Sequence, residues 1–245
     1  LVPGSESVIS VLHNYYQPDT QHDESATTGK ISRYAWGDDY HDVLKDRLYL
    51  LLHWLEENVG QSVHGRVFVD KAWAARSGLG WQGKHSNLLT RDIGSFFFIG
   101  EIIVDVPLPA DHPVEDFCGS CTRCVDACPT DAIYQPYAVD ATRCISYLTI
   151  EHGGDDVPEA ISSDMKNWIF GCDICQDVCP WNKFKEPTQE ERYRPREGMS
   201  DTDLRDWVEL ELEEFRERFS GSPVTRATYE GFKRNVRTAL NNASS

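Results

Sequence analysis

All eight cysteines of this 245-residue chain lie between positions 118 and 179, at spacings that few folds can satisfy. Cys118, Cys121, Cys124 and Cys128, with Pro129 after them, follow the pattern C-x2-C-x2-C-x3-C-P. In that pattern a tight loop gives three thiolates to one cubane [4Fe–4S] cluster and the fourth thiolate to another. Cys172, Cys175 and Cys179, with Pro180 after them, repeat it with Ile169 where the first cysteine would stand. Cys144 is the one cysteine left to fill that corner. The arithmetic groups Cys118, Cys121, Cys124 and Cys179 around one cluster, and Cys128, Cys144, Cys172 and Cys175 around a second. Structural zinc also uses C-x2-C pairs, but it does not ask for this run twice. A disulfide framework belongs to short secreted chains, which this is not.

The length can hold two domains, each with a core. A hydrophobic content of 40% with 11% aromatics is that of a globular protein. The longest apolar run, 96–106, is interrupted by Glu101 and Asp105 and is far short of a membrane span. No charged n-region and apolar h-region precede it. The chain is therefore expected to be a cytoplasmic protein with no membrane partner, acting as a monomer. Its formal charge of −16 argues, taken alone, against a nucleic-acid partner, because phosphate binding needs local Lys and Arg. The C-terminus is the exception. Between 222 and 240, Arg226, Lys233, Arg234 and Arg237 stand against Glu230 alone, on a stretch with amphipathic helical spacing. That combination points to a phosphate-contacting patch.

Along the chain, 7–15 reads as a buried strand, and His13 within it as a packed histidine. A loop over 17–30 leads to Arg33, Tyr34 and Trp36, just ahead of a helix capped by Asp38 or Asp39. Val43, Leu44, Leu48, Leu51, Leu52 and Leu55 fall at helical spacing, and Gly60 ends the helix. Residues 66–70 read as a strand delivering the Asp70 carboxylate at its C-terminal end, where α/β folds place their chemistry. A short helix is expected over 72–77, then a glycine loop over 78–87 carrying Trp81, Lys84 and His85. A second buried strand region follows at 94–106. Residues 142–151 read as helical, and 186–217 as an acidic helix with Leu204, Trp207, Val208, Leu212 and Phe215 on its apolar face. Two clusters, an α/β domain and a helical tail imply redox chemistry without naming a substrate.

The segments 31–41, 66–70, 78–89, 94–102, 143–149 and 222–240, with both cysteine runs, resemble the epoxyqueuosine reductase family, iron–sulfur enzymes that act on tRNA. The resemblance covers most of the chain. It implies an α+β protein with an α/β cobalamin-binding catalytic domain over 1–109. A bacterial 2[4Fe–4S] ferredoxin-like domain would follow over 110–185, then a helical C-terminal region over 186–245. It further implies base-off cobalamin and two [4Fe–4S] clusters as cofactors. Implied partners are a tRNA carrying epoxyqueuosine and an external one-electron donor such as a flavodoxin or ferredoxin system. Carried onto this sequence, Asp70 matches the proton donor. Ser32 and Arg33, with Asp70, Lys84, His85, Leu88, Ile99 and Ser146, match the cobalamin environment. Arg226, Lys233, Arg234 and Arg237 become the expected tRNA contacts. Asp70 runs straight into Lys71 where the family carries a short extra segment. The start at Leu1 and the missing helical repeats make a truncated chain the expectation. Two other readings compete: a reductive dehalogenase-like enzyme, which also joins cobalamin to two clusters, and a ferredoxin-type electron carrier. The carrier leaves the 117 residues ahead of Cys118 unexplained.

Overall fold

The computed structural model describes residues 3–18, 25, 27–60, 63–69 and 73–244. Its strands are β1 (Ser7–Asn14), β2 (Lys30–Ile31), β3 (Gly65–Phe68), β4 (Trp81–Gln82), β5 (Leu88–Leu89), β6 (Phe97–Val104) and β7 (Trp168–Phe170). Its α-helices are α1 (Tyr40–Asn58), α2 (Arg123–Asp126), α3 (Ile145–Ile150) and α4 (Glu159–Ser162), then α5 (Ile174–Asp177), α6 (Leu204–Glu209), α7 (Leu212–Arg218) and α8 (Thr228–Ala243).

β6 is almost continuously apolar because both of its edges are paired and both of its faces are covered. It lies between β1 and β3, antiparallel to each, with Glu101 opposite Ser10 on one side and Phe68 on the other. β1 and β3 therefore run parallel to one another across it and are joined through α1, which makes a split β–α–β unit. The expectation of a buried first strand is corrected. β1 is an edge strand, half-buried along its whole length. Phe98, Ile102 and Val104 pack on Val43, Leu44, Leu48 and Leu52 of α1, each fully buried aliphatic contributing roughly 1.5–3 kcal/mol. Gly100 allows this approach, since a Cβ there would meet Leu48 Cδ1 at 2.9 Å. The Asp39 side chain caps α1 by accepting from the His41 N–H, and Gly60 follows the helix at φ +74°. His13 is packed as expected, its Nδ1 3.0 Å from the Tyr193 hydroxyl.

The helix expected at 72–77 is a run of turns from 73 onward. The Trp73 N–H is drawn instead to the buried Glu101 carboxylate at 2.8 Å. The acidic helix expected at 186–217 is also broken. Pro187, Pro195 and Gly198 interrupt its first half, and α6 and α7 form after separate caps at Asp203 and Glu211.

The second core crosses the expected domain limits. β2 pairs in parallel with β7, and Ile31, Ala35, Trp36, Ile169 and Phe170 pack with Leu204, Trp207, Phe215, Phe219, Phe232 and Val236. The helical tail thus closes over residues from both of the preceding segments.

Candidate functional site

Each cysteine run contains a one-turn helix, α2 around Cys124 and α5 around Cys175, so the thiols are carried on short loops and single turns rather than along a long element. Two cavities open there. The first, about 320 Å³, is walled by Cys118, Cys121, Cys124 and Cys179, with Lys84, His85, Leu89, Phe117 and Trp181. The second, about 650 Å³, has Cys128, Cys144, Cys172 and Cys175 along one side. Its other walls carry Ser32, Tyr34, Tyr40, Val69, His85, Leu88, Phe97, Ile99 and Ser146. The cysteines thus fall into the two groups of four that their spacing suggests. All eight are free thiols. Among the described residues no three His, Cys, Asp or Glu side chains converge closely enough to hold a single ion.

Burial pushes the Cys118, Cys124, Cys172, Cys175 and Cys179 thiols above their ordinary pKa. Metal binding must supply the positive charge that deprotonates them. Cys144 can reach Cys128, Cys172 and Cys175 beside the larger cavity (the inner group, the other four being the outer) because α3 begins directly after it and packs beside β7. Ile169, where the second run lacks a cysteine, is fully buried in β7.

The second cavity lies between the sheet and the inner cysteines. Ser32 Oγ donates to Asp173, which is 1% exposed and sits between Cys172 and Cys175. The Arg33 N–H and guanidinium donate to the same carboxylate at 2.9 and 3.0 Å, and the guanidinium also reaches Asp177 at 2.9 Å. Arg33 therefore does not line the cavity and is a clamp between the 32–36 turn and the inner cysteine loop. Lys84 is a second correction. It lines the first cavity instead, with Nζ donating to the carbonyls of Gly119 (2.7 Å) and Cys121 (2.9 Å). Ser32, Leu88, Ile99 and Ser146 line the larger cavity, and His85 borders both. Desolvation lowers the His85 pKa to about 4, which keeps the ring neutral. Asp70 lies outside the described residues; its neighbour Val69 is on the wall of the larger cavity.

Sequence reasoning missed the tyrosines. Tyr15, Tyr34 and Tyr40 line the larger cavity, and burial raises all three phenols, so they stay protonated as donors. The Tyr40 ring stacks on Phe98 with centroids 4.2 Å apart. The cluster of aromatics just ahead of α1 was the available signal. Also missed was the buried network joining Ser95, Gln176 and Asn182, which ties the approach to β6 to the second cysteine run.

The basic tail is corrected in part. Lys233 donates to the Val208 and Leu210 carbonyls, the latter at 2.9 Å. Arg234 donates to the carbonyls of Leu148 (2.9 Å), His152 (2.8 Å) and Gly154 (2.6 Å). Both side chains are buried and cannot meet a phosphate. Arg226 is exposed and pairs with Glu151 at 2.6 Å, and Arg237 is exposed.

Residues 117–182 match the 4Fe-4S double cluster binding domain, so the chain is an iron–sulfur protein. Residues 1–71 match the family described as Epoxyqueuosine reductase QueG, DUF1730. An epoxyqueuosine reductase of Cyclobacterium marinum is 50% identical over 251 residues, covering 100% of this chain and 79% of the relative. The chain belongs to the epoxyqueuosine reductase family and reduces epoxyqueuosine. A crystal structure of epoxyqueuosine reductase with a tRNA-Tyr epoxyqueuosine-modified stem loop superposes with a TM-score of 0.89 at 32% identity, over 99% of this chain and 66% of that one. A Bacillus subtilis structure, with its catalytic aspartate loop swung out of the active site, gives the same TM-score, identity and coverage. Membership decides against the dehalogenase and carrier readings. Among the described residues no helix is long and apolar enough to cross a membrane.

Proposed function

We propose that the chain converts epoxyqueuosine to queuosine at the wobble position of tRNA, with base-off cobalamin in the larger cavity and electrons entering through two [4Fe–4S] clusters. The observation that carries this reading is the shared wall: the inner four cysteines line the same cavity as Ser32, Leu88, Ile99 and Ser146. The residues present suit a corrin. Its broad face would lie on the apolar surface made by Phe97, Ile99 and Leu88, while Asn87, Ser146 and Gln176 offer hydrogen bonds to peripheral amides. The stem-loop complex of the related enzyme supports a tRNA substrate, whose target base must be splayed out to be reached.

Removing an epoxide oxygen takes two electrons and two protons and releases one water. When bound, cobalamin supplies the low-potential centre that delivers those electrons to the substrate, and the clusters feed it one electron at a time. The chain's own residues position and protonate. The Ser32–Asp173 and Arg33–Asp173 bonds hold the inner cysteine loop against the cavity. Tyr34 and Tyr40 stay protonated at the cavity wall and can orient the substrate. Asp70, next after the wall residue Val69, is the proposed donor of the proton that the released oxygen takes up. The external one-electron donor, cytoplasmic location and monomeric state belong to this same proposal, as do the three segments 1–109, 110–185 and 186–245 as functional units.

The deciding experiment incubates iron-loaded, cobalamin-supplemented protein with reductant and an epoxyqueuosine-containing stem loop, followed by nucleoside analysis. Queuosine is expected only when both cofactors are present. Untouched epoxyqueuosine at full iron and cobalamin content would reject the reading. Asp70→Asn is expected to retain cobalamin and lose turnover by two or more orders of magnitude; full activity in that variant removes it as the acid.

A further inference from the structure

One buried N–H donor on the hairpin that borders the cysteines, His85 Nε2, has no partner. The hairpin joins β4 to β5 and carries Trp81, Lys84 and His85. His85 is 5% exposed, and its Nδ1 accepts the Asn87 N–H at 3.1 Å, which puts the ring proton on Nε2. Nε2 is buried without a hydrogen-bond partner, whereas the Trp81 indole N–H is turned toward the Cys118 sulfur. An orphaned buried donor is destabilising unless an acceptor arrives. Trp81 packs with Leu89 and Cys179 and against Cys118, and Lys84 Nζ is already bonded to the 119–121 backbone. Trp81 and Lys84 are thus directed to the side of the hairpin that faces Cys118 and Cys121, and His85 lines the cavity on that side as well as the larger one. Gly83 leaves room for the arrangement, since a Cβ there would meet His85 Cε1 at 3.0 Å.

We propose that His85 Nε2–H donates to a sulfur of the cluster held by Cys118, Cys121, Cys124 and Cys179, and that this bond raises that cluster's reduction potential. The hairpin belongs to the sheet-bearing part of the chain, so the first segment tunes the centre that receives electrons. Donors to cluster sulfurs stabilise the reduced, more negative state. The effect is easier one-electron reduction of the outer cluster by the external donor. The inference rests on the two-cluster assignment of the preceding section.

The test is an EPR-monitored redox titration of iron-loaded protein, the outer signal being the one that Cys121→Ser perturbs. In His85→Phe, at the native midpoint, the outer cluster's reduced-to-oxidised ratio is expected to fall about tenfold, or ~59 mV for one electron. His85→Gln, which keeps a donor, is expected to recover most of that, with the inner signal unmoved in both. Full iron with an unshifted outer midpoint overturns the proposal. So does a shift confined to the inner cluster or to the cobalamin spectrum, because the ring then faces the other cavity. Should His85→Phe fail to hold iron, Trp81→Phe decides, with a fall in the same direction expected and its absence fatal. A native sample lacking any cubane signal would reject the cluster assignment itself, which is a distinguishable failure.

Discussion

Arg234 and Arg237 sit three residues apart on α8 and differ in every physical respect that matters. Arg234 is buried among the Leu148, His152 and Gly154 carbonyls, while Arg237 meets solvent. Arg234→Met, which preserves the apolar stem, is expected to destabilise the protein by about 3–5 kcal/mol by stranding those carbonyls, read as a lower thermal midpoint. Arg237→Glu is expected to leave that midpoint within about 0.5 kcal/mol and to weaken stem-loop binding at low salt. Equal stability in both variants would dissolve the distinction. The cysteine grouping was legible because ligand spacing is a local, covalent property of the chain. The fate of the basic residues was not, since counting charges does not reveal whether a head group meets water or a backbone carbonyl. Arg33 and Lys84 were misread for the same reason, their partners lying well over thirty residues away in the sequence.

Among the elements, β1, β3, β6 and α1 were legible from periodicity and caps, β2 and β7 were not, and the glycine-rich hairpin was recognised without its pairing. Turns at 73–78 escaped because Glu101, a tertiary partner, satisfies the backbone there. Gly94 is the position where an element depends most on a single residue. It has φ +72°, and a Cβ would collide with Asn182 Oδ1, the acceptor of the Ser95 N–H. Gly94→Ala is therefore expected to cost about 2–4 kcal/mol, combining left-handed strain with the loss of a buried hydrogen bond. Denaturant unfolding of the variant would measure this, and a cost below about 0.5 kcal/mol would show that the network relaxes freely.

For the whole molecule, the expectation of a separate helical tail meets a core that runs from Ile31 through Phe170 to Val236. Because α8 supplies Phe232, Val236 and Ala239 to that core, deleting 228–245 is expected to abolish cooperative unfolding rather than trim an appendage. A truncated chain that unfolds sharply at an unchanged midpoint would show the tail to be dispensable. Sequence alone could not reveal this, since the β2–β7 pairing links positions more than 130 residues apart.

Ile169 has one more effect. With an isoleucine sealed inside β7, the inner site must borrow its remaining sulfur from Cys144, at the head of α3. The corner is complete only after α3 has docked on β7. Iron uptake there is then expected to require a finished fold, whereas the outer loop, with three sulfurs in seven residues, is expected to gather metal while the chain is still open, an order that stopped-flow absorbance during iron loading of the refolding chain would check.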